Sequence, residues 1–128
     1  MVANRTMEYL EVLPDDCPPD DAFEPEGKEF FRLVKTNPPT ETDFQSHRKL
    51  HPNYFKAGNC RAHAVSIFDK AEACKILLNN PSHKGKRLAK LSLDSRSGRL
   101  KQTGDNKHHF SWWIYSDFVP LAVCEVIE

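Results

Sequence analysis

The chain has 128 residues, 39% of them hydrophobic and 28% charged, proportions ordinary for one globular domain with a core of its own. No apolar run approaches the roughly 20 residues that cross a bilayer. The opening MVANRTMEYLEVLPDD has no basic start leading into an apolar stretch, and the four cysteines are dispersed with no C-x2-C pair, so the expectation is a cytoplasmic protein with reduced thiols and no membrane partner. Eighteen basic and eighteen acidic residues cancel overall but not locally. Residues 1–29 hold nine acids and two bases, residues 30–116 six acids and sixteen bases, and residues 117–128 three acids and no base. An acidic leading segment therefore precedes a basic body, which suits either an anionic partner for the body or an arm folded over it.

In chain order, TMEYLEVL (6–13) reads as a short strand or helix. LPDDCPPDDAFEPEG (13–27) has four prolines, four aspartates and two glutamates, too little apolar surface to offset its ordering entropy. Residues 1–28 are thus an acidic, Pro-rich N-terminal arm, and residues 29–128 a single compact domain. EFFRLVK (29–35) alternates as a strand, with Phe31 and Leu33 on one side and Phe30, Arg32 and Val34 on the other. Asn37-Pro38-Pro39 stops it. Thr40 followed by Asp43 predicts a helix running to about Leu50, because Pro52 disfavours helical geometry at His51. RAHAVSIF (61–68) predicts a strand with Arg61, His63, Val65 and Ile67 on one face. Asp69 is the expected cap of a helix over 70–80 with an apolar stripe of Ala71, Cys74, Leu77 and Leu78. KRLAKLSLD, the turn SRSG and RLKQT predict a hairpin over 86–103. HHFSWWIY (108–115) and FVPLAVCEVI (118–127) are the last strands, with Pro120 forcing an edge position or a late start. The expected fold is α+β, a mainly antiparallel sheet with two helices packed on it, behind the arm.

Four places carry chemistry. His47, His51, Cys60 and His63 are metal-ligand types, but Pro52 weakens the helix at His51, and Cys60 and His63 lie an odd number of residues apart in an extended segment, so zinc is disfavoured. On the last aromatic strand, His109, Ser111, Trp113 and Tyr115 share the face opposite Phe110, Trp112 and Ile114. Aromatic rings with polar tips beside a histidine suit a stacked base or sugar, unless the arm covers them. Arg32 sits among apolar neighbours, facing solvent or an anion. Lys84, Lys86, Arg87, Lys90, Arg96, Arg99, Lys101 and Lys107 would give the hairpin a cationic surface. Nucleotide-loop, P-loop, hydrolase-elbow, zincin and deaminase motifs are all missing. The leading expectation is a domain that binds an anionic small molecule, a nucleotide or nucleic acid, through Arg32, Ser66, His109, Ser111, Trp113, Tyr115, Arg87 and Arg99. A protein partner reached through residues 1–28 is the non-enzymatic alternative.

FFRLVKTNPPTETDF, SIFDKAEACKIL and HHFSWW together resemble a group of small bacterial proteins without an assigned activity. They share an R-L-V strand, a P-P-T…D-F stretch and a late histidine-aromatic strand. The likeness covers roughly residues 29–116. The layout is also similar to small ADP-ribosyltransferase-like domains, including RES-type toxins. That resemblance implies an arginine on the first strand that meets a nicotinamide dinucleotide and a serine on a strand just before a helix, the places of Arg32 and Ser66, with NAD as the ligand under this reading alone.

Overall fold

A computed structural model describes residues 8–53, 55, 56 and 58–128. Among these residues, six strands form an antiparallel sheet in the order β4-β5-β2-β1-β3-β6. They are β1 (Lys28–Val34), β2 (Val65–Phe68), β3 (Arg87–Leu93), β4 (Gly98–Gln102), β5 (His109–Ile114) and β6 (Cys124–Val126). Two short helices among the described residues, α1 (His47–Leu50) and α2 (Ala71–Lys75), and several 3-10 turns complete an α+β fold.

The sheet is bent into two wings. β3 and β4 stand four places apart in its order, roughly 19 Å in a flat sheet. Only residues 94–97 join them, and these close a turn in which the Ser97 N–H donates to the Asp94 carbonyl at 3.0 Å. The bend falls between β1 and β2, which pair only at Phe31 and Phe68. The wings β4-β5-β2 and β1-β3-β6 close on one inner core that holds Phe30, Leu91, Ile67, Leu100 and Trp112. Phe30 of one wing meets Phe110 of the other edge to face, 5.6 Å between centroids. The SRSG turn is present, but the predicted hairpin is not. A tight turn serves either neighbouring strands or facing layers: β3 takes its ladder partners from β1 and β6, and Leu91 and Leu93 on its apolar side share the inner core with Leu100 of β4. Gly98 makes the turn possible: its φ is +139°, and a Cβ there would lie 2.1 Å from the Trp113 carbonyl oxygen.

Several other elements differ from expectation. The helix over 41–50 is a 3-10 turn (Glu41–Phe44) and then α1, with Gln45 extended between them. The Asp43 carbonyl, which a continuous helix needs as an acceptor, takes the Arg32 Nε–H at 2.8 Å. The Asp43 carboxylate takes the main-chain N–H of Lys35 and of Thr40. Ser46 restarts the helix as its N-cap, accepting from the Lys49 N–H, and His51 ends it. The strand at 61–68 begins only at Val65, since Arg61–His63 is a 3-10 turn whose Ala62 N–H donates to the Asn59 side chain at 3.2 Å. α2 is capped by Lys70, while Asp69 turns to His108 at 2.8 Å. β6 is an edge strand that starts after a Pro120–Val123 turn, as Pro120 requires.

The outer faces are covered twice. α2 sets Ala73 and Cys74 on Leu33, Phe68 and Leu88. The arm sets Ala22, Tyr9, Leu13 and Cys17 around Trp113 and Ala64. Phe23 exchanges two main-chain hydrogen bonds with Leu100, 2.9 and 2.7 Å, so the arm closes the otherwise open edge of β4. Its acids meet the basic body: Asp21 pairs with Lys101, Glu24 accepts from the Tyr115 hydroxyl at 2.6 Å, and Glu11 accepts from Ser46. Residues 6 and 7 of the TMEYLEVL segment lie outside the described residues.

Cys17 and Cys60 are joined in a disulfide, where the sequence led us to expect reduced thiols. The two cysteines are 43 positions apart, brought together by packing of the arm that dispersed spacing does not reveal. Closing a loop of that length stabilises the folded chain by about 4 kcal/mol. Alkylation in denaturant is expected to label two thiols, Cys74 and Cys124, and four after reduction. Reductant should lower the unfolding midpoint, whereas four labelled thiols without reductant would refute the bond.

Candidate functional site

Between the two covers on the outer face lies a polar strip. Ser66 and Ser111 are opposite one another in the β2–β5 ladder, and Phe68 is opposite His109. Alternation therefore puts Ser66, His109 and Ser111 on the same side of the sheet. His109 Nε2 is 3.0 Å from the Ser66 hydroxyl. His109 Nδ1 is 3.0 Å from the Thr103 carbonyl and 3.1 Å from the Thr103 hydroxyl, which is itself 2.8 Å from that of Ser111. A carbonyl only accepts, so Nδ1 carries the proton. In the neutral ring Nε2 is then the acceptor, and Ser66 must donate to it.

Over this strip opens a cleft of about 300 Å³ lined by His47, Phe55, Asn59, Arg61, Ala62, Ser66 and Ser111. The rings of His47 and Phe55 stand 5.8 Å apart on its wall. The exposed Arg61 side chain lies against the 103–108 turn: a Cβ on Gly104, whose φ is +77°, would come within 2.9 Å of its Nη2. No carboxylate is among the described lining residues. Cations accumulate on this side: His47 is held below its ordinary range by burial and by Arg32, His51 and Lys86, and His109 by burial and by Arg61, against its bond to Thr103.

Arg32 stands behind the strip, in the gap where β1 and β2 diverge. Its Nη1–H donates to the Ser66 carbonyl at 2.6 Å, its Nε–H to the Asp43 carbonyl, and its guanidinium lies over the Phe44 ring. Burial lowers it to about 10, against the opposing pull of Asp43, and it stays charged at neutral pH. Its ion therefore fixes the backbone that carries Ser66.

The structure thus brings Arg32, Ser66, His109 and Ser111 together and separates the rest. Trp113 and Tyr115 are 2% and 1% exposed beneath the arm and offer no free face for stacking. The Trp113 indole N–H donates to the Cys60 carbonyl, and Arg99 donates to the Tyr115 hydroxyl under the same cover. Arg87 is on the other wing, donating to the Glu128 carbonyl. Because β3 and β4 do not pair, the basic residues make no single surface: Lys90 pairs with Glu29 and Glu125, Arg96 with Asp94, and Lys101 with Asp21. The quartet His47, His51, Cys60 and His63 does not form a metal site. Cys60 is oxidised, and among the described residues no three His, Cys, Asp or Glu side chains group to hold a metal. Phe55, Asn59 and Arg61 on the cleft, and Thr103 behind it as the partner of His109 and Ser111, carry no signal of the site in the sequence. Phe55 and Asn59 sat in a loop without periodicity, and Arg61 was assigned to a strand that is in fact a turn.

No family model, curated protein or solved structure matches this chain.

Two outcomes are expected. A lowered His109 means that the folded state prefers the neutral ring. Its contribution is intact above the ordinary histidine value of 6.5 and is lost as pH falls below it. Thermal midpoints between pH 7.5 and 5 should fall less in His109→Gln than in the parent; parallel curves would exclude His109 as a source. Arg32→Met leaves two carbonyls without their charged donor and should cost about 3 kcal/mol in denaturant unfolding; a loss under 1 kcal/mol would show the clamp to be unimportant.

Proposed function

We propose that the protein binds a small anionic ligand of nucleotide type in the cleft over Ser66. The observation that carries this is the Arg61 guanidinium on the wall of a cleft whose described lining has no carboxylate. Phosphate geometry suits a planar guanidinium. The His47 and Phe55 rings provide apolar faces for a base or sugar, and the Asn59 amide and Ser66 hydroxyl provide hydrogen bonds. The aromatic role thus moves from Trp113 and Tyr115 to Phe55 and His47. When His109 is protonated, Nε2 donates to Ser66, whose hydroxyl then turns its proton into the cleft.

A second reading, cleavage of a nicotinamide dinucleotide, rests on the adjacency of Arg32 and Ser66, the pair that the ADP-ribosyltransferase-like resemblance names; against it, the Arg32 guanidinium is held by the Ser66 and Asp43 carbonyls and is not on the cleft lining. Glu125 is no substitute for a carboxylate in the cleft, because it sits on the far wing with Lys90.

No described helix is long and apolar enough to cross a membrane. The Cys17–Cys60 bond belongs to the kind that persists in oxidising compartments, and it is the observation that stands against the cytoplasmic placement expected from the sequence.

Titration calorimetry with mono- and dinucleotides is expected to show binding that weakens with salt and strengthens below pH 6.5. Arg61→Ala should weaken it at least about tenfold, in line with a charged hydrogen bond, and Arg87→Ala should leave it unchanged. Equal affinity in the Arg61 variant would sink the proposal. Nicotinamide release from the bound dinucleotide would favour the second reading, and binding without release would leave the first.

A further inference from the structure

We infer that Ser66 is a nucleophile and His109 its general base, and that the cleft hydrolyses small anionic acyl esters. Four observations converge. The Ser66 hydroxyl is 3.0 Å from His109 Nε2, within reach for proton transfer. The Thr103 carbonyl fixes the proton on Nδ1, which leaves Nε2 free to accept and supplies the orienting third partner that such a pair needs. Ser66 and Ser111 border the open cleft, so the reacting oxygen meets a ligand, while Arg61 on the same lining supplies a positive charge for the acid group of an anionic ester. Ser66 and His109 stand on paired strands, and Arg32 anchors the Ser66 main chain, so the geometry exists before a substrate arrives. A histidine held neutral at pH 7 is in the form that can act as a base.

The steps balance. The Ser66 oxygen attacks the ester carbonyl carbon and its proton passes to His109 Nε2. The bond to the alcohol breaks, and the alcohol leaves with that proton. Water then attacks the acyl carbon, gives its proton to Nε2, and releases the acid as Ser66 takes the proton back.

This inference uses the same cleft as the ligand reading, and the two fail separately. The test is intact mass and peptide mapping of the full chain after incubation with diisopropyl fluorophosphate, which loses fluoride to an activated serine. One adduct on Ser66 is expected, formed faster as pH rises through the His109 range to a plateau. His109→Gln should slow it by at least about 100-fold, the usual worth of a general base. Ser92→Ala, exposed on β3, should label at the parent rate. Absence of an adduct, an adduct on another residue, or an unchanged rate in His109→Gln overturns the inference, and peptide mapping of the parent gives that answer even if a variant fails to fold. Nucleotide binding without an adduct defeats this inference alone; an adduct without nucleotide binding defeats the ligand reading alone.

Discussion

The arrangement depends on one half-buried cation. Arg32 lies where β1 and β2 diverge after a single paired position and bonds a main-chain carbonyl on either side, Ser66 and Asp43. A sheet that opens in this way leaves carbonyls without ladder partners, and an unpaired buried carbonyl costs as much as a lost hydrogen bond. The guanidinium satisfies the Ser66 carbonyl of β2 and, with the same rigid fork, the Asp43 carbonyl of the 3-10 turn. Its second bond also ends the 3-10 turn at Phe44 by taking the acceptor that a longer helix needs, which sends the chain back through Gln45 and Ser46 to place His47 on the cleft wall.

The cleft follows from what the two covers leave bare. α2 needs the apolar outer patch around Phe68 and Leu88; the arm needs Trp113 and Tyr115. Neither can cover Ser66, His109 and Ser111 without stranding polar groups, so these groups bond one another through Thr103. The disulfide adds a constraint at the rim, since Cys60 lies between Asn59 and Arg61, both lining residues. The arm that closes the β4 edge is therefore tied covalently to the wall of the site.

Much of this was legible residue by residue. Alternation in EFFRLVK, KRLAKLSLD and HHFSWWIY assigned the correct faces, because burial on one side of a strand imposes a period of two whatever the strand's neighbour. Pro120 and Pro52 marked their boundaries because proline's geometry acts locally. The covering of Trp113 and Tyr115 was foreseeable only as an alternative: a face of Ser, Trp and Tyr reads the same with ligand or protein above it. The helix over 41–50 failed because a side chain from a different strand, Arg32, competed for its acceptor.

The sequence by itself determined the strands, the side of each that is apolar, the α+β class and the contrast between acidic arm and basic body, since these follow from local periodicity and charge. Only the tertiary structure decided that β3 and β4 belong to opposite wings, that Cys17 meets Cys60, and that Ser66, His109, Thr103 and Arg61 converge. Those are long-range juxtapositions, set by which apolar faces can close on one another, and the local pattern is the same for several such closures.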